Sequence, residues 1–278
     1  GTADCPVELE TLPLIVREPA TVRFGGRAFR IEREGLYRFA DYDARAFRNV
    51  IYYGRDDFTL FASLCRIHVH GRADIKLSGK ERDAAVLTRR LSIHCGPFHG
   101  YCLRTMQGLG LRVRRVQLLT LEDWNDYDNG HILLEHFHPE EGRWIALDLD
   151  TRSVFVDAAG AFMDTYQLTR AVREGKPYEI WRICTTDGSD HADPFDTFHE
   201  EVHLMEEGKR AWLRRIAQVP FVCETEVGDD GRTVYPAYYP YADEQVHERV
   251  EEYKRVRGMD FHGLPEAEWL ERFYGGDE

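Results

Sequence analysis

The chain has 278 residues, of which 43% are hydrophobic and 31% charged, a composition typical of a globular protein with a buried core. Lysine and arginine total 36 against 49 aspartates and glutamates, and the net charge of −13 disfavours a protein that binds nucleic acid or an anionic membrane surface through clustered cations. No apolar run reaches the ~18 residues that a membrane-spanning helix needs.

The cysteines are too sparse to predict a disulfide scaffold. Six of them occur in the chain and none forms a CxxC pair, which favours reduced thiols. Residues 1–14 contain neither the basic segment nor the long apolar segment of a signal peptide. From these two observations we expect a cytoplasmic protein.

The N-terminal part of the chain is predicted to be rich in β-strands. Residues 20–32 alternate apolar and polar side chains around two adjacent glycines, which predicts a hairpin. Residues 49–53 and 58–70 are apolar and aromatic, and their periodicity leaves strands or a short helix open. Residues 79–92 favour a helix.

The clearest helix signal follows. From Phe98 to position 109 the less polar side chains recur at spacings of three and four residues, which is one face of an α-helix. Pro97 suits a first turn, and Gly108 suits a helix end. Cys95 is therefore expected at the entrance of a buried helix.

Three predicted strands and then three further predicted helices follow, and the chain as a whole is predicted to be an α+β protein. The predicted strands, joined by a polar loop and a four-residue turn, cover residues 111–121, 131–138 and 143–150. The further predicted helices cover residues 161–174, 197–217 and 243–257, and residues 234–243 are predicted to be extended.

A thiol at the start of a helix suggests nucleophilic chemistry. The N–H groups and the partial positive charge at a helix N-terminus stabilise a thiolate, so Cys95 is a candidate nucleophile. A nucleophile of this kind needs a base and a group that orients the base. If Phe137 pairs with Gly142 across a four-residue loop, His131 stands directly opposite Asp148, close enough for a carboxylate to accept an imidazole N–H.

Two sequence blocks carry a family resemblance. In the first block, Cys95 opens the predicted helix and Phe98 follows three residues later. The segment at 110–116, which begins Gly-Leu-Arg-Val, starts fifteen residues after the cysteine.

The second block contains the candidate base. His131 is followed four residues later by Glu135, and then by a Gly-x-Trp motif at Gly142 and Trp144 and by a strand that reaches Asp148. In this order and at these spacings, residues 95–150 resemble the core of the transglutaminase-like superfamily of papain-type thiol enzymes.

The resemblance implies a catalytic triad in which Cys95 is the nucleophile, His131 the base and Asp148 the orienting acid. Asp150 remains a rival for the third role, because it lies on the same face of the strand as Asp148. The implied activity is that of a cysteine-dependent hydrolase or acyltransferase. An amide or peptide carbonyl forms a Cys95 thioester, which water resolves in a protease or amidase and an amine resolves in a transglutaminase.

The same resemblance implies the domain organisation and the partners. We expect a transglutaminase-like or papain-like core at 79–155, in which the helix carrying the cysteine packs on an antiparallel sheet. A β-rich region is expected at 1–78 and a mostly helical region at 156–278. The expected substrate is a peptide, a protein or a small amide, with no cofactor. From the net charge of −13, and not from the resemblance, we expect no nucleic acid and no membrane partner.

Two other hypotheses stay open. His68 and His70, and likewise His136 and His138, form HxH pairs whose imidazoles point the same way in a strand and suit a metal. The neighbouring acidic loop adds candidate carboxylates at Asp123, Asp126 and Asp128. The third hypothesis is a catalytically inactive binding module on the same fold.

Overall fold

The structure of the protein is a computed structural model. It describes residues 7–8, 14–24, 26–39, 49–86, 89–125, 129–183, 206–227 and 233–275. These residues form seven helices and several sheets, so the predicted α+β class is confirmed. No helix within the described ranges is long and apolar enough to cross a membrane.

The chain divides into two compact units that interleave in sequence. The first unit comprises residues 1–111, 149–153 and 182–202, and the second comprises residues 112–148, 154–181 and 203–278. The predicted division near residues 78 and 155 stays a prediction.

The helices are α1 (Asp57–Cys65), α2 (Gly79–Ala85), α3 (Cys95–Gly108), α4 (Thr165–Glu174), α5 (Glu206–Ile216), α6 (Glu244–Arg257) and α7 (Glu266–Tyr274). The strands up to α3 are β1 (Val7–Glu8), β2 (Leu14–Val16), β3 (Ala20–Phe24), β4 (Arg27–Ile31), β5 (Gly35–Phe39), β6 (Asn49–Tyr53), β7 (His68–His70) and β8 (Leu91–Ile93). The later strands are β9 (Val113–Leu119), β10 (Gly130–His138), β11 (Arg143–Asp148), β12 (Ser153–Asp157), β13 (Tyr178–Arg182), β14 (Val219–Cys223), β15 (Glu226–Val227), β16 (Thr233–Val234), β17 (Ala237–Tyr241) and β18 (Phe261–Pro265).

The first unit begins with the predicted hairpin. Strands β3 and β4 pair antiparallel, and Phe24 lies opposite Arg27 across the glycine turn, which confirms the prediction at 20–32. Strand β6 lies between β2 and β5 in a second sheet. The segment at 58–70, left open between strand and helix, forms most of α1 and then β7.

The predicted helix at 79–92 is wrong in its second half. Helix α2 begins with a capping box, in which the Ser78 side chain accepts from the Glu81 N–H and the Glu81 carboxylate accepts from the Ser78 N–H. It ends at Ala85, and β8 then pairs in parallel with β7. The buried side chains of Leu91 and Ile93 are held by this distant strand, which local periodicity does not reveal.

Helix α3 agrees with its prediction. Its first residue is Cys95, and its buried side chains include Phe98, Cys102 and Met106 at the predicted spacings. The helix ends where the chain reaches Gly110, whose φ of +79° lies in the left-handed region that favours glycine.

The second unit is built on an eight-stranded sheet. The strand order is β13-β12-β11-β10-β9-β14-β17-β18, so the three predicted strands at 111–121, 131–138 and 143–150 lie side by side as β9, β10 and β11. The C-terminal region, predicted as mostly helical, also supplies four strands of this sheet. Of these, only β17 falls within a segment predicted to be extended. Strand β14 is buried along its whole length and therefore carries no alternating pattern.

The three predicted C-terminal helices appear in part as α4, α5 and α6. Residues 197–205 of the second prediction lie outside the described residues. Side chains of α4, α5 and α7 join the buried core of the unit, which includes Leu168, Leu213 and Trp269.

The predicted register of the β10–β11 hairpin is wrong by two residues. Phe137 pairs with Trp144 rather than Gly142, and the four-residue turn lies between His138 and Arg143. Gly142 stands outside the ladder because its φ of +61° closes the turn, and its N–H donates to the His138 carbonyl at 2.9 Å. Because a strand alternates its side chains with a period of two, each side chain stays on its predicted face of the sheet. His131 and Asp148 become diagonal rather than directly opposite cross-strand neighbours.

Candidate active site

Cys95 is held at the N-terminus of α3. The preceding residue, His94, is extended (φ −89°, ψ 176°) and its side chain makes no capping hydrogen bond to the helix. The positive end of the helix macrodipole therefore acts at Cys95 without competition from an acidic N-cap. The Cys95 side chain is partly exposed, and its carbonyl lies 2.9 Å from Nδ1 of His99 one turn further along.

Cys95 differs from the other described cysteines in exposure. Cys65, Cys102 and Cys223 are buried, whereas Cys95 is not. Burial raises the pKa of the Cys102 thiol well above its ordinary value and raises the pKa of Cys223 to about 11. Of these four thiols, only Cys95 combines solvent access with a helix N-terminus. The cysteines at positions 5 and 184 lie outside the described residues.

His131 and Asp148 form a buried pair in the second unit. His131 Nε2 lies 3.0 Å from Asp148 Oδ1, and the two side chains are 4% and 0% exposed. His131 lies on β10, and Asp148 is the last residue of β11, so the sheet holds both side chains in place. The structure thus brings together two of the three predicted site residues, while Cys95 belongs to the other unit.

Helix α5 adds two residues that the sequence analysis missed. Lys209 is buried, and its Nζ lies 3.4 Å from Asp148 Oδ2 and 5.4 Å from the centre of the Phe155 ring. The Trp212 ring meets the His131 ring edge to face, with centroids 4.8 Å apart. A sequence signal exists for Lys209, because it shares the apolar stripe of α5 with Leu213 and other core residues.

Asp150, the rival acid, has different partners. Its Oδ1 lies 2.7 Å from His68 Nε2, and its Oδ2 lies 2.9 Å from His70 Nδ1. The His68 ring also stacks on Phe98 of α3, with centroids 3.6 Å apart. All four residues belong to the first unit. Asp148, and not Asp150, is the acid hydrogen-bonded to His131.

The HxH pairs do not assemble a metal centre in the described part of the chain. The His68 and His70 nitrogens are directed at the Asp150 carboxylate itself, and the ring centroids of His136 and His138 are 6.4 Å apart. Across the described ranges, no group of three or more His, Cys, Asp or Glu side chains is arranged to hold a metal ion. Two of the candidate loop carboxylates, at positions 126 and 128, lie outside these ranges.

Glu135, from the second sequence block, is the centre of a buried network. Its carboxylate accepts from Arg114 Nε, from the Thr165 N–H and from the Tyr274 hydroxyl, each at 2.7 Å. These partners come from β9, α4 and α7, so Glu135 ties three elements of the unit together. Burial and the negative charge of Glu135 raise the pKa of nearby Asp164 to about 7.

Comparisons with models of known protein families, with curated proteins and with solved structures found no match to this chain. The resemblance to the transglutaminase-like superfamily therefore stays a prediction that rests on the sequence blocks.

Proposed function

We propose that this protein is a thiol-dependent acyl-transfer enzyme that acts on an amide or peptide carbonyl through a thioester on Cys95. The alternatives within this class are a protease or amidase and a transglutaminase-type enzyme. The observation that carries the proposal is the buried hydrogen bond between His131 and Asp148. The ordered spacing of the two sequence blocks links this pair to Cys95.

The pair supports the proposal because it defines which imidazole nitrogen acts as the base. An ionised carboxylate only accepts hydrogen bonds, so the His131 Nε2–H donates to Asp148 Oδ1. Nδ1 of the neutral ring then carries the lone pair that takes a proton. An acid that fixes the tautomer and stabilises the imidazolium is the third member of a nucleophile–base triad.

In the proposed reaction, His131 Nδ1 takes the proton of the Cys95 thiol, and the thiolate sulfur bonds to the substrate carbonyl carbon. The oxyanion that forms accepts a hydrogen bond from the Cys95 backbone N–H at the helix N-terminus. The carbon–nitrogen bond then breaks, and the imidazolium gives its proton to the leaving amine. A thioester on Cys95 remains.

The second half of the reaction resolves this thioester. Water or a second amine bonds to the thioester carbonyl carbon, and His131 takes the proton of the attacking atom. The carbon–sulfur bond breaks, and the proton passes to the departing Cys95 thiolate. Water yields a carboxylic acid, whereas an amine yields a new amide.

Selective alkylation tests the proposal. Iodoacetamide at neutral pH is expected to label Cys95 at least about tenfold faster than Cys102 or Cys223, because the rate follows the thiolate fraction and access. The measurement is a time course of alkylated peptides by mass spectrometry. His131→Ala is expected to slow Cys95 labelling by about tenfold or more, since it removes the base.

A matched control is available in the same unit. His262 Nε2 lies 2.8 Å from Asp260 Oδ1 in an exposed histidine–carboxylate pair, so His262→Ala is expected to leave Cys95 labelling unchanged. An activated ester such as p-nitrophenyl acetate is expected to leave an acetyl group on Cys95. Equal labelling of all cysteines together with no acyl-Cys95 would refute the enzyme and favour an inactive binding module.

A further inference from the structure

The Asp148 carboxylate is shared between two basic side chains. Its Oδ1 faces His131 Nε2 at 3.0 Å, and its Oδ2 faces Lys209 Nζ at 3.4 Å. Lys209 is 2% exposed and Asp148 is fully buried. Each oxygen therefore has its own partner, and this fixes the plane of the carboxylate relative to the imidazole ring.

Burying a lysine at this position is energetically unfavourable without a compensating gain. Taking an ammonium out of water costs several kcal/mol, and an ion pair in the interior often only offsets that cost. The position belongs to the apolar stripe of α5 with Leu213 and Ile216, where a hydrophobic residue would pack with no desolvation cost. Stability alone thus does not account for a lysine at position 209.

We propose that Lys209 is a positioning residue for His131: its ammonium holds Asp148 as an anion with Oδ1 turned towards the imidazole, and its charge lowers the basicity of the ring. This inference rests on the proposed function, because it concerns the same His131–Asp148 pair.

The need for such a residue follows from electrostatics. A buried carboxylate beside an imidazole favours the imidazolium, and a ring that is already protonated does not take the thiol proton. A positive charge on the far side of Asp148 offsets this effect. Among the residues that the structure describes, Lys209 from α5 is a charged group that faces the pair. The cross-strand neighbour of His131 on β9 is Leu118, and the ring above it is Trp212, both neutral.

Histidine NMR titration tests the inference without any thiol chemistry. In a Cys95→Ala background, Lys209→Met is expected to raise the pKa of His131 by about one unit, because it removes a positive charge about two hydrogen bonds away. Lys209→Arg keeps the charge and is expected to change that pKa by less than about 0.3 unit. The exposed His262 serves as the internal control and is expected not to shift.

A neutral polar variant, Lys209→Gln, gives the same test if Lys209→Met does not fold, and is expected to shift the pKa in the same direction. An unchanged or lowered pKa of His131 in either folded neutral variant would overturn the inference.

A kinetic measurement on the protein that retains Cys95 separates the two proposals. The acidic limb of the pH profile for acylation of Cys95 by p-nitrophenyl acetate reports the protonation of His131. This limb is expected to move to higher pH with the NMR shift in Lys209→Met, and to return to its original position in Lys209→Arg. If Lys209 only filled space, Lys209→Met would change the rate of Cys95 acylation but would not move this limb of the pH profile. A shifted His131 pKa with no selective acylation of Cys95 would support the inference about the pair and contradict the proposed function.

Discussion

Replacing Asp148 by asparagine removes one partner of a buried ion pair in the second unit. Asparagine keeps the shape of the side chain and removes its negative charge. Lys209, 2% exposed, then loses the Asp148 carboxylate as a partner for its charge in the interior. Removing one partner of a buried pair costs about 3–5 kcal/mol. Because the asparagine oxygen still accepts one hydrogen bond, we expect Asp148→Asn to lower the free energy of unfolding by about 3 kcal/mol.

The double variant separates lost charge pairing from lost packing. In Asp148→Asn combined with Lys209→Met, neither charge is buried, and a methionine suits the apolar stripe of α5. We expect the double variant to recover most of the loss and to lie within about 1–2 kcal/mol of the unchanged protein. The two substitutions are therefore expected to be strongly non-additive, as contacting residues in one network are.

Tryptophan fluorescence provides a selective assay. All five tryptophans belong to the second unit, at positions 124, 144, 181, 212 and 269. Urea unfolding followed by their emission thus reports the stability of that unit. Asp260→Asn, in the exposed pair with His262, is the matched control and is expected to stay within about 0.5 kcal/mol. A cost below about 1 kcal/mol for Asp148→Asn, or a double variant no more stable than the single one, would refute the buried-pair reasoning.

Two further predictions concern the same unit. The pKa of Asp164 is raised from 3.8 to about 7, so the stability from its bound proton is complete below about pH 4 and is lost as the pH rises through 7. Between pH 5 and 8 this loss amounts to about 3 kcal/mol. Asp164→Asn, which keeps the N-cap acceptor, is expected to flatten the loss in urea unfolding over this range, and an unchanged slope would contradict the prediction. Gly142→Ala puts a side chain at φ +61° and is expected to cost about 1 kcal/mol, measured by the same fluorescence assay; no loss would show that the turn tolerates alanine.

The parts of the site that follow from local sequence were predictable. Helix α3 was predicted from its 3.6-residue periodicity, its early proline and its terminal glycines, and those signals place Cys95 at the helix start. Strands β9, β10 and β11 were predicted because each is bounded by a polar loop or a tight turn. In these segments the information that selects the structure lies within about fifteen residues.

The parts of the fold and of the site that depend on residues distant in the sequence were not predictable from local patterns. The hairpin register depends on the backbone conformation of Gly142, which the sequence allows but does not require. Strand β8 exists because β7 pairs with it, and the two are separated by a helix. The contact between Lys209 and Asp148 spans 61 positions. A lysine within an apolar stripe is a local sign of a buried partner, although it does not identify that partner.

The two aspartates after Trp144 show how the tertiary structure determines which acid contacts a given histidine. Side-chain alternation places Asp148 and Asp150 on one face, so parity alone does not decide which acid orients His131. The strand ladder decides, because β11 ends at Asp148 and residues 149–153 belong to the first unit. The acid hydrogen-bonded to His131 is the one that lies in the same sheet as the histidine, where the backbone holds both groups. Asp148 meets this condition, whereas Asp150 leaves the strand and bonds His68 and His70. Two acids separated by one residue thus serve histidines in different units.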